Sequence, residues 1–339
     1  MEKGVAIIAD PNGRGYSFAK GIYNNISERP GRDFDIKLID MEVKKFKDGE
    51  FKVRIKDNIR GRRCCFIHDS NNNPADWYVQ LEFAIQAMRF SSKNEVNVII
   101  PYTRFARQDR KDESRVSVNM KALAKMISQY ADRIMTVDLH NSTTSSFFEI
   151  PCDELSSAPS VVDYIVKNHK EILNNLIIVS PDAGGAKRAV DFSERFERYG
   201  FKPEVAIGYK TRKEAGKVEE VRIIGEVEDK NCLIVDDIID SGGTLLMTLE
   251  ELKRRGAKNV SAYGTHGIFS KGTKALSGFD KIFVSDTLNV EKNGDLNIEI
   301  ISLVSLFGEA IYRDITGQSL SVLFDSKDKD KNYFLGTAS

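Results

Sequence analysis

Short apolar runs rich in β-branched residues alternate along this chain with longer stretches in which apolar positions recur every three or four residues. Val5 to Ile8, Phe34 to Ile39, Cys64 to His68, Val96 to Pro101 and Arg133 to Val137 read as strands. The rhythm resumes with Leu176 to Pro181, Glu204 to Tyr209, Asn231 to Val235, Val260 to His266 and Lys281 to Ser285. Helical periodicity predicts helices at Ser17 to Ile26, Asp76 to Arg89, Asn119 to Gln129, Ala158 to Asn168, Gly185 to Tyr199, Thr244 to Arg255 and Leu303 to Thr316. Continuous apolar strands separated by amphipathic helices predict an α/β fold, in which mainly parallel sheets are covered by helices on their faces.

Two segments rhyme. Arg133-Ile-Met-Thr-Val-Asp-Leu-His140 and Asn231-Cys-Leu-Ile-Val-Asp-Asp-Ile238 both run from an apolar strand into acidic residues. The expectation is two similar domains, residues 1–157 and 158–325, with the last helix packing back on the first. From Ser326 the sequence turns polar and low in complexity, and residues 326–339 read as a disordered tail.

Composition narrows the function classes. Fifty Lys and Arg balance fifty Asp and Glu over 339 residues, so no general charge draws the chain to nucleic acid or an anionic membrane. Any phosphate binding must be local. Met1 to Asp10 has no secretory-signal pattern, and apolar windows such as Val96 to Ile100 fall far short of the ~20 residues that span a bilayer. Cys64, Cys65, Cys152 and Cys232 form no C-x-x-C pair and have no His at zinc spacing, which predicts plain buried thiols in a reducing, cytoplasmic setting.

The strongest chemical signal is Leu233-Ile-Val-Asp236-Asp237-Ile-Ile-Asp240-Ser241-Gly242-Gly243-Thr244. A strand runs into acids, then a Gly-Gly turn, then a helix. Ligands of open parallel sheets sit at this end of the strands. Paired glycines let backbone N–H groups approach a phosphate, and the following helix N-terminus favours an anion. Adjacent carboxylates accept hydrogen bonds from vicinal sugar hydroxyls. Read blandly, the segment is a strand, a turn and a capped helix, but three aspartates crowded at one turn repel without a partner.

This segment resembles the phosphoribosyl-pyrophosphate signature of type I phosphoribosyltransferases and of ribose-phosphate pyrophosphokinases. Further blocks follow the pyrophosphokinase order: Phe46-Lys-Asp48-Gly49-Glu50, Pro101-Tyr-Thr-Arg-Phe-Ala-Arg107-Gln108-Asp109-Arg110, Val137-Asp138-Leu-His140, Pro181-Asp182-Ala-Gly184-Gly185 and Thr265-His266. The resemblance implies two phosphoribosyltransferase-like domains and magnesium-dependent transfer of the β,γ-pyrophosphoryl group of ATP to ribose 5-phosphate. It carries metal contacts to His140 and Asp182, and charge stabilisation of the transferring group to Lys210 and Arg212. ATP recognition falls to Phe46, Asp48, Glu50, Arg107, Gln108 and Asp109. The sugar hydroxyls fall to Asp236 and Asp237, and the 5-phosphate to Asp240, Ser241, Gly242, Gly243 and Thr244. In the family the two ATP segments meet across a subunit interface, so a homo-oligomer, dimer or hexamer, is implied.

The sequence departs from the family at Asp10-Pro-Asn-Gly-Arg-Gly, at Thr103 and Arg104, at Asn141 to Ser146, and at Glu154 and Ser156. These departures keep ADP-ribose open as a second acceptor. A non-catalytic regulatory homologue is the alternative of another class, opposed by the presence of Lys210, Arg212, His140, Asp182, Asp236 and Asp237.

Overall fold

Val5-Ala-Ile-Ile-Ala9 is buried at every position, as a central parallel strand covered on both faces must be. In the computed structural model, which describes residues 4–211, 220–291 and 297–323, this strand is β1 (Val5–Ala9). The first half continues with α1 (Tyr16–Ser27), β2 (Ile36–Lys45), β3 (Phe51–Ile55), β4 (Arg63–Ile67), α2 (Pro74–Ser91), β5 (Val96–Ile100), α3 (Asn119–Tyr130), β6 (Arg133–Val137) and β7 (Cys152–Leu155). The second comprises α4 (Ala158–Asn168), α5 (Lys170–Leu173), β8 (Leu176–Ser180), α6 (Ala186–Phe196), β9 (Glu204–Thr211), β10 (Glu220–Ile224), β11 (Asn231–Ile239), α7 (Gly243–Arg254), β12 (Asn259–Gly267), β13 (Lys281–Ser285), β14 (Ile298–Ile301) and α8 (Val304–Ile315).

The strands form two seven-stranded sheets, ordered β3-β2-β1-β4-β5-β6-β7 and β10-β9-β8-β11-β12-β13-β14. Each second-half strand stands seven numbers above its counterpart. Only β3 and β10 run antiparallel to their neighbours. The expected pair of similar α/β units is therefore present, but the rhyme that suggested it is not one of equivalent positions. By sheet order β11 corresponds to β4, and β6 corresponds to β13. The likeness arises because strands ending at the ligand edge of a parallel sheet tend to read as apolar runs into polar residues.

Alternate side chains of each interior strand feed opposite faces. Val5, Ile7 and Ala9 pack with α1 and α8, whereas Ala6 and Ile8 pack with α2 and α3. α8 follows the second sheet yet buries Leu306, Phe307, Ala310 and Ile311 in the core of the first half, where Phe307 meets Phe18 edge-on at 5.5 Å. Burying one such aromatic contributes roughly 1.5–3 kcal/mol, which fixes the helix there. Cys64, Cys65 and Cys232 are buried and Cys152 partly so, all without a disulfide. Burial pushes the Cys64 thiol up to about 11 and those of Cys152 and Cys232 up to about 12, so they remain unreactive thiols. Among the described residues no helix is long and apolar enough to cross a membrane. The segment 326–339, read as a tail, lies outside the described residues.

Candidate active site

A cavity of about 1060 Å³ opens at the carboxyl ends of β5, β6, β8 and β11, between the two halves. Arg107, Gln108, Asp109, His140, Asp182, Asp236, Asp237, Asp240, Ser241, Gly242, Gly243 and Thr244 all line it. Phe46, Asp48 and Glu50 do not. They sit at the β2–β3 hairpin, where Gly49 takes φ +94° to close the turn and Phe46 is 46% exposed. Lys210 lies on β9, where its backbone is in register with Val221; its side chain, and Arg212 altogether, lie outside the described residues.

The phosphate-type turn has the geometry its glycines predict. Gly242 adopts φ +77°, a backbone conformation that favours glycine, and a Cβ there would also press on the Leu276 methyl. α7 starts at the next residue, and its first turn, whose N–H groups have no intrahelical acceptors, lines the cavity, an arrangement suited to an anion.

The acidic pair beside this turn is asymmetric. Asp237 is 5% exposed at its side chain: its Oδ1 stands 3.1 Å from Arg188 Nη1, and its Oδ2 pairs with His140 Nδ1 at 2.9 Å. Asp236 is 28% exposed, and its Oδ1 accepts from the Asp237 N–H at 2.9 Å and from Arg188 at 3.4 Å. Burial, reinforced by the Asp237 charge, raises the pKa of Asp236. Burial acts the same way on Asp237, but the His140 hydrogen bond and the Arg188 charge overcome it and hold that carboxyl below its usual range. The same hydrogen bond raises His140.

Across the cleft, Arg107 donates to Asp240 Oδ2 from both terminal nitrogens, at 2.8 and 2.7 Å, and Asn141 donates to Asp109 at 2.8 Å. A guanidinium fork suits carboxylate and phosphate alike. Arg107 thus commits two of its donors to the turn that follows β11.

Several lining residues were given no role from the sequence. Asp138, at φ +42°, accepts from the Ser157 hydroxyl and from Thr265 Oγ1 at 2.6 Å, which orients the turn that carries His140. Glu154 accepts from Leu139 N at 3.0 Å, and burial raises its pKa. Lys187 and Arg188 open α6. Their signal was available: two cations in the first turn of a helix oppose the macrodipole, which favours anions there.

Among the described residues no three His, Cys, Asp or Glu side chains surround one point as a metal cage. Asp182 and Asp236 nonetheless offer carboxylates to the cavity. This sparse oxygen set fits magnesium, which takes one or two carboxylates and completes its shell with water and substrate phosphates. His140 is a nitrogen donor where magnesium prefers oxygen, but its Nδ1 contact with Asp237 leaves Nε2 as the atom that would ligate.

Residues 16–130 match the family model described as the N-terminal domain of ribose phosphate pyrophosphokinase, and residues 152–288 match that of the phosphoribosyl transferase domain. A ribose-phosphate pyrophosphokinase of Chlorobaculum tepidum is 40% identical over 295 residues, spanning 86% of this chain and 89% of that protein. One of Agrobacterium fabrum is 38% identical over 315 residues, spanning 91% and 99%. The chain belongs to the ribose-phosphate pyrophosphokinase family. It is an enzyme of that family. The crystal structure of phosphoribosylpyrophosphate synthetase from Mycobacterium smegmatis shares the fold, with a TM-score of 0.80 at 24% identity, covering 92% of this chain and 99% of that one.

Proposed function

We propose that the cleft transfers the β,γ-pyrophosphoryl group of ATP to the anomeric hydroxyl of ribose 5-phosphate, giving phosphoribosyl pyrophosphate and AMP. The observation that carries this reading is the meeting, in one cavity, of the Asp236–Asp237 pair, the Gly242–Gly243 turn at a helix N-terminus, and Arg107. The 5-phosphate docks on the first turn of α7, beside the hydroxyls of Ser241 and Thr244, and the sugar hydroxyls donate to the acidic pair. The nucleotide phosphates take Arg107 once it leaves Asp240, with Gln108 and Asp109 on the same loop. Such transfers depend on positioning and charge neutralisation more than on covalent chemistry. Lys210 and Arg212 supply positive charge to the transferring group, a role that rests on the family resemblance.

Asp182, Asp236 and, through its free ring nitrogen, His140 would hold magnesium, which when bound offsets phosphate charge. Because the hairpin of Phe46, Asp48 and Glu50 does not line the cleft of its own chain, this reading has a second copy of the chain deliver it, and the active form is a homo-oligomer, dimer or hexamer. Buried protonated cysteines support a cytoplasmic setting.

The test is AMP release from ATP and magnesium with each acceptor in turn. AMP that appears with ribose 5-phosphate, and not with ADP-ribose alone, is the expected result. AMP driven by ADP-ribose alone overturns the acceptor assignment, and none with either acceptor favours the non-catalytic regulatory homologue.

A further inference from the structure

We propose that Arg188 is a positioning residue that divides the work of the acidic pair, binding Asp237 into the protein and leaving Asp236 to the ligand. This deepens the sugar-phosphate reading of the cleft and rests on it. Arg188 stands in the first turn of α6, where a cation gains nothing from the helix dipole. The carboxylates that answer it come from the end of β11: its Nη1 lies 3.1 Å from Asp237 Oδ1 and 3.4 Å from Asp236 Oδ1, and the side chain is only 19% exposed.

The consequences for the two acids differ. Asp237 has one oxygen on Arg188 and the other on His140, and it is nearly inaccessible from the cleft. Asp236 uses a single oxygen, Oδ1, for the Asp237 N–H and the longer Arg188 contact. Its Oδ2 meets no N–H donor among the described residues, and the side chain is more than five times as exposed as that of Asp237. A sugar hydroxyl entering the cavity therefore meets Asp236. Without Arg188 the neighbouring carboxylates repel one another with only His140 to compensate, and Asp237 loses one of the two partners that fix it. A lysine neutralises as a point charge on a flexible stem, so it replaces the charge and not the placement.

The experiment titrates ribose 5-phosphate into the full chain with saturating magnesium and a non-transferable ATP analogue, and separately titrates the analogue. Wild type, Arg188→Gln and Arg188→Lys are compared. We expect Arg188→Gln to weaken ribose 5-phosphate binding, and raise its KM, by about tenfold or more, the loss typical of a charged hydrogen bond. Arg188→Lys should recover part of that loss, and analogue affinity should fall by clearly less than ribose 5-phosphate affinity in both variants, since Arg107, Gln108 and Asp109 stand outside the altered contacts. Arg188→Gln that binds ribose 5-phosphate as wild type does, or that loses both ligands equally, overturns the proposal. If Arg188→Gln does not fold, Arg188→Lys decides by the same criterion. Wild type that binds no ribose 5-phosphate would instead remove the functional reading on which this rests.

Discussion

At Asp236 burial and the Asp237 charge raise the pKa of a carboxyl that the cleft leaves 28% exposed. An asparagine there keeps the Oδ1 acceptor used by the Asp237 N–H and Arg188, and it removes one of two crowded charges. Asp236→Asn should therefore raise the stability of the ligand-free chain by about 1 kcal/mol while weakening ribose 5-phosphate binding, the trade common at sites strained for function. Urea melts and ribose 5-phosphate titration check both halves of this; a variant less stable than wild type would show that the charges are already balanced. At this scale many of the residues gathered in the cavity were legible. Asp236, Asp237 and the Gly242–Gly243 turn announce themselves because their types and spacing are local. Arg188 was not singled out, because its carboxylate partners lie 48 and 49 residues further along the chain.

Element by element, the interior strands were readable and the edges were not. β3, β7, β10 and β14, all outside the predicted set, occupy the four sheet edges. A central strand is buried on both faces and reads as a continuous apolar run, as Leu176-Ile-Ile-Val-Ser180 does. An edge strand needs only one apolar face and carries charges on the other. Phe51-Lys-Val-Arg-Ile55 and Glu220-Val-Arg-Ile-Ile224 show the alternation that would have revealed them, whereas Cys152-Asp-Glu-Leu155 lacks β-branched residues altogether. Edge β14 is secured through one side chain. Glu299 accepts from Lys281 at 2.7 Å and Tyr164 at 3.1 Å, and pairs with His169 Nε2 at 2.7 Å, tying β13 and α4 to the edge. Burial pushes its pKa up, but the bonds from Lys281, His169 and Tyr164 more than offset this, and the net value lies below the ordinary 4.5. A carboxyl lowered on folding contributes stability that is full above its unfolded value and is lost as pH falls through the folded one. Glu299→Gln should cost about 1 kcal/mol near neutrality, reduced from a buried pair by solvent screening. The gap should close in melts taken at about pH 3; a gap that persists there would assign the loss to packing.

For the molecule as a whole, two like halves put the same strand ends to different uses. Register aligns Ile8 beside Phe66 in the first sheet with Val179 beside Ile234 in the second, so His68 and Asp69 occupy the places of Asp236 and Asp237. There the ligand edge is filled: Asp69 is 8% exposed, and a Cβ on Gly13 or Gly15 would lie 2.6 or 2.8 Å from its carboxylate oxygens. In the second half one member of the corresponding pair, Asp236, stays 28% exposed, and Arg107 from the first half reaches Asp240 beyond it. At this junction Arg107 and Arg188, each paired with a carboxylate, stand among a larger number of acidic side chains. That junction is set by a buried polar network no sequence window displays, since its members come from β6, the link before α4, and β12. Asp138 accepts from Ser157 and from Thr265 Oγ1, and Ser157 in turn accepts from Tyr263 at 2.8 Å. Thr265 is fully buried, so Thr265→Val keeps the shape and deletes one donor to a carboxylate. It should cost about 1.5–3 kcal/mol. Ser157→Ala removes a second donor to the same group, and because the two share Asp138 the double variant should lose less than the sum of the singles. Since Asp138 lies two residues before His140, turnover should fall in both variants before the fold is lost. Denaturant melts read with initial rates test this; strict additivity with unchanged rates would show that the network holds the halves together without setting the cleft.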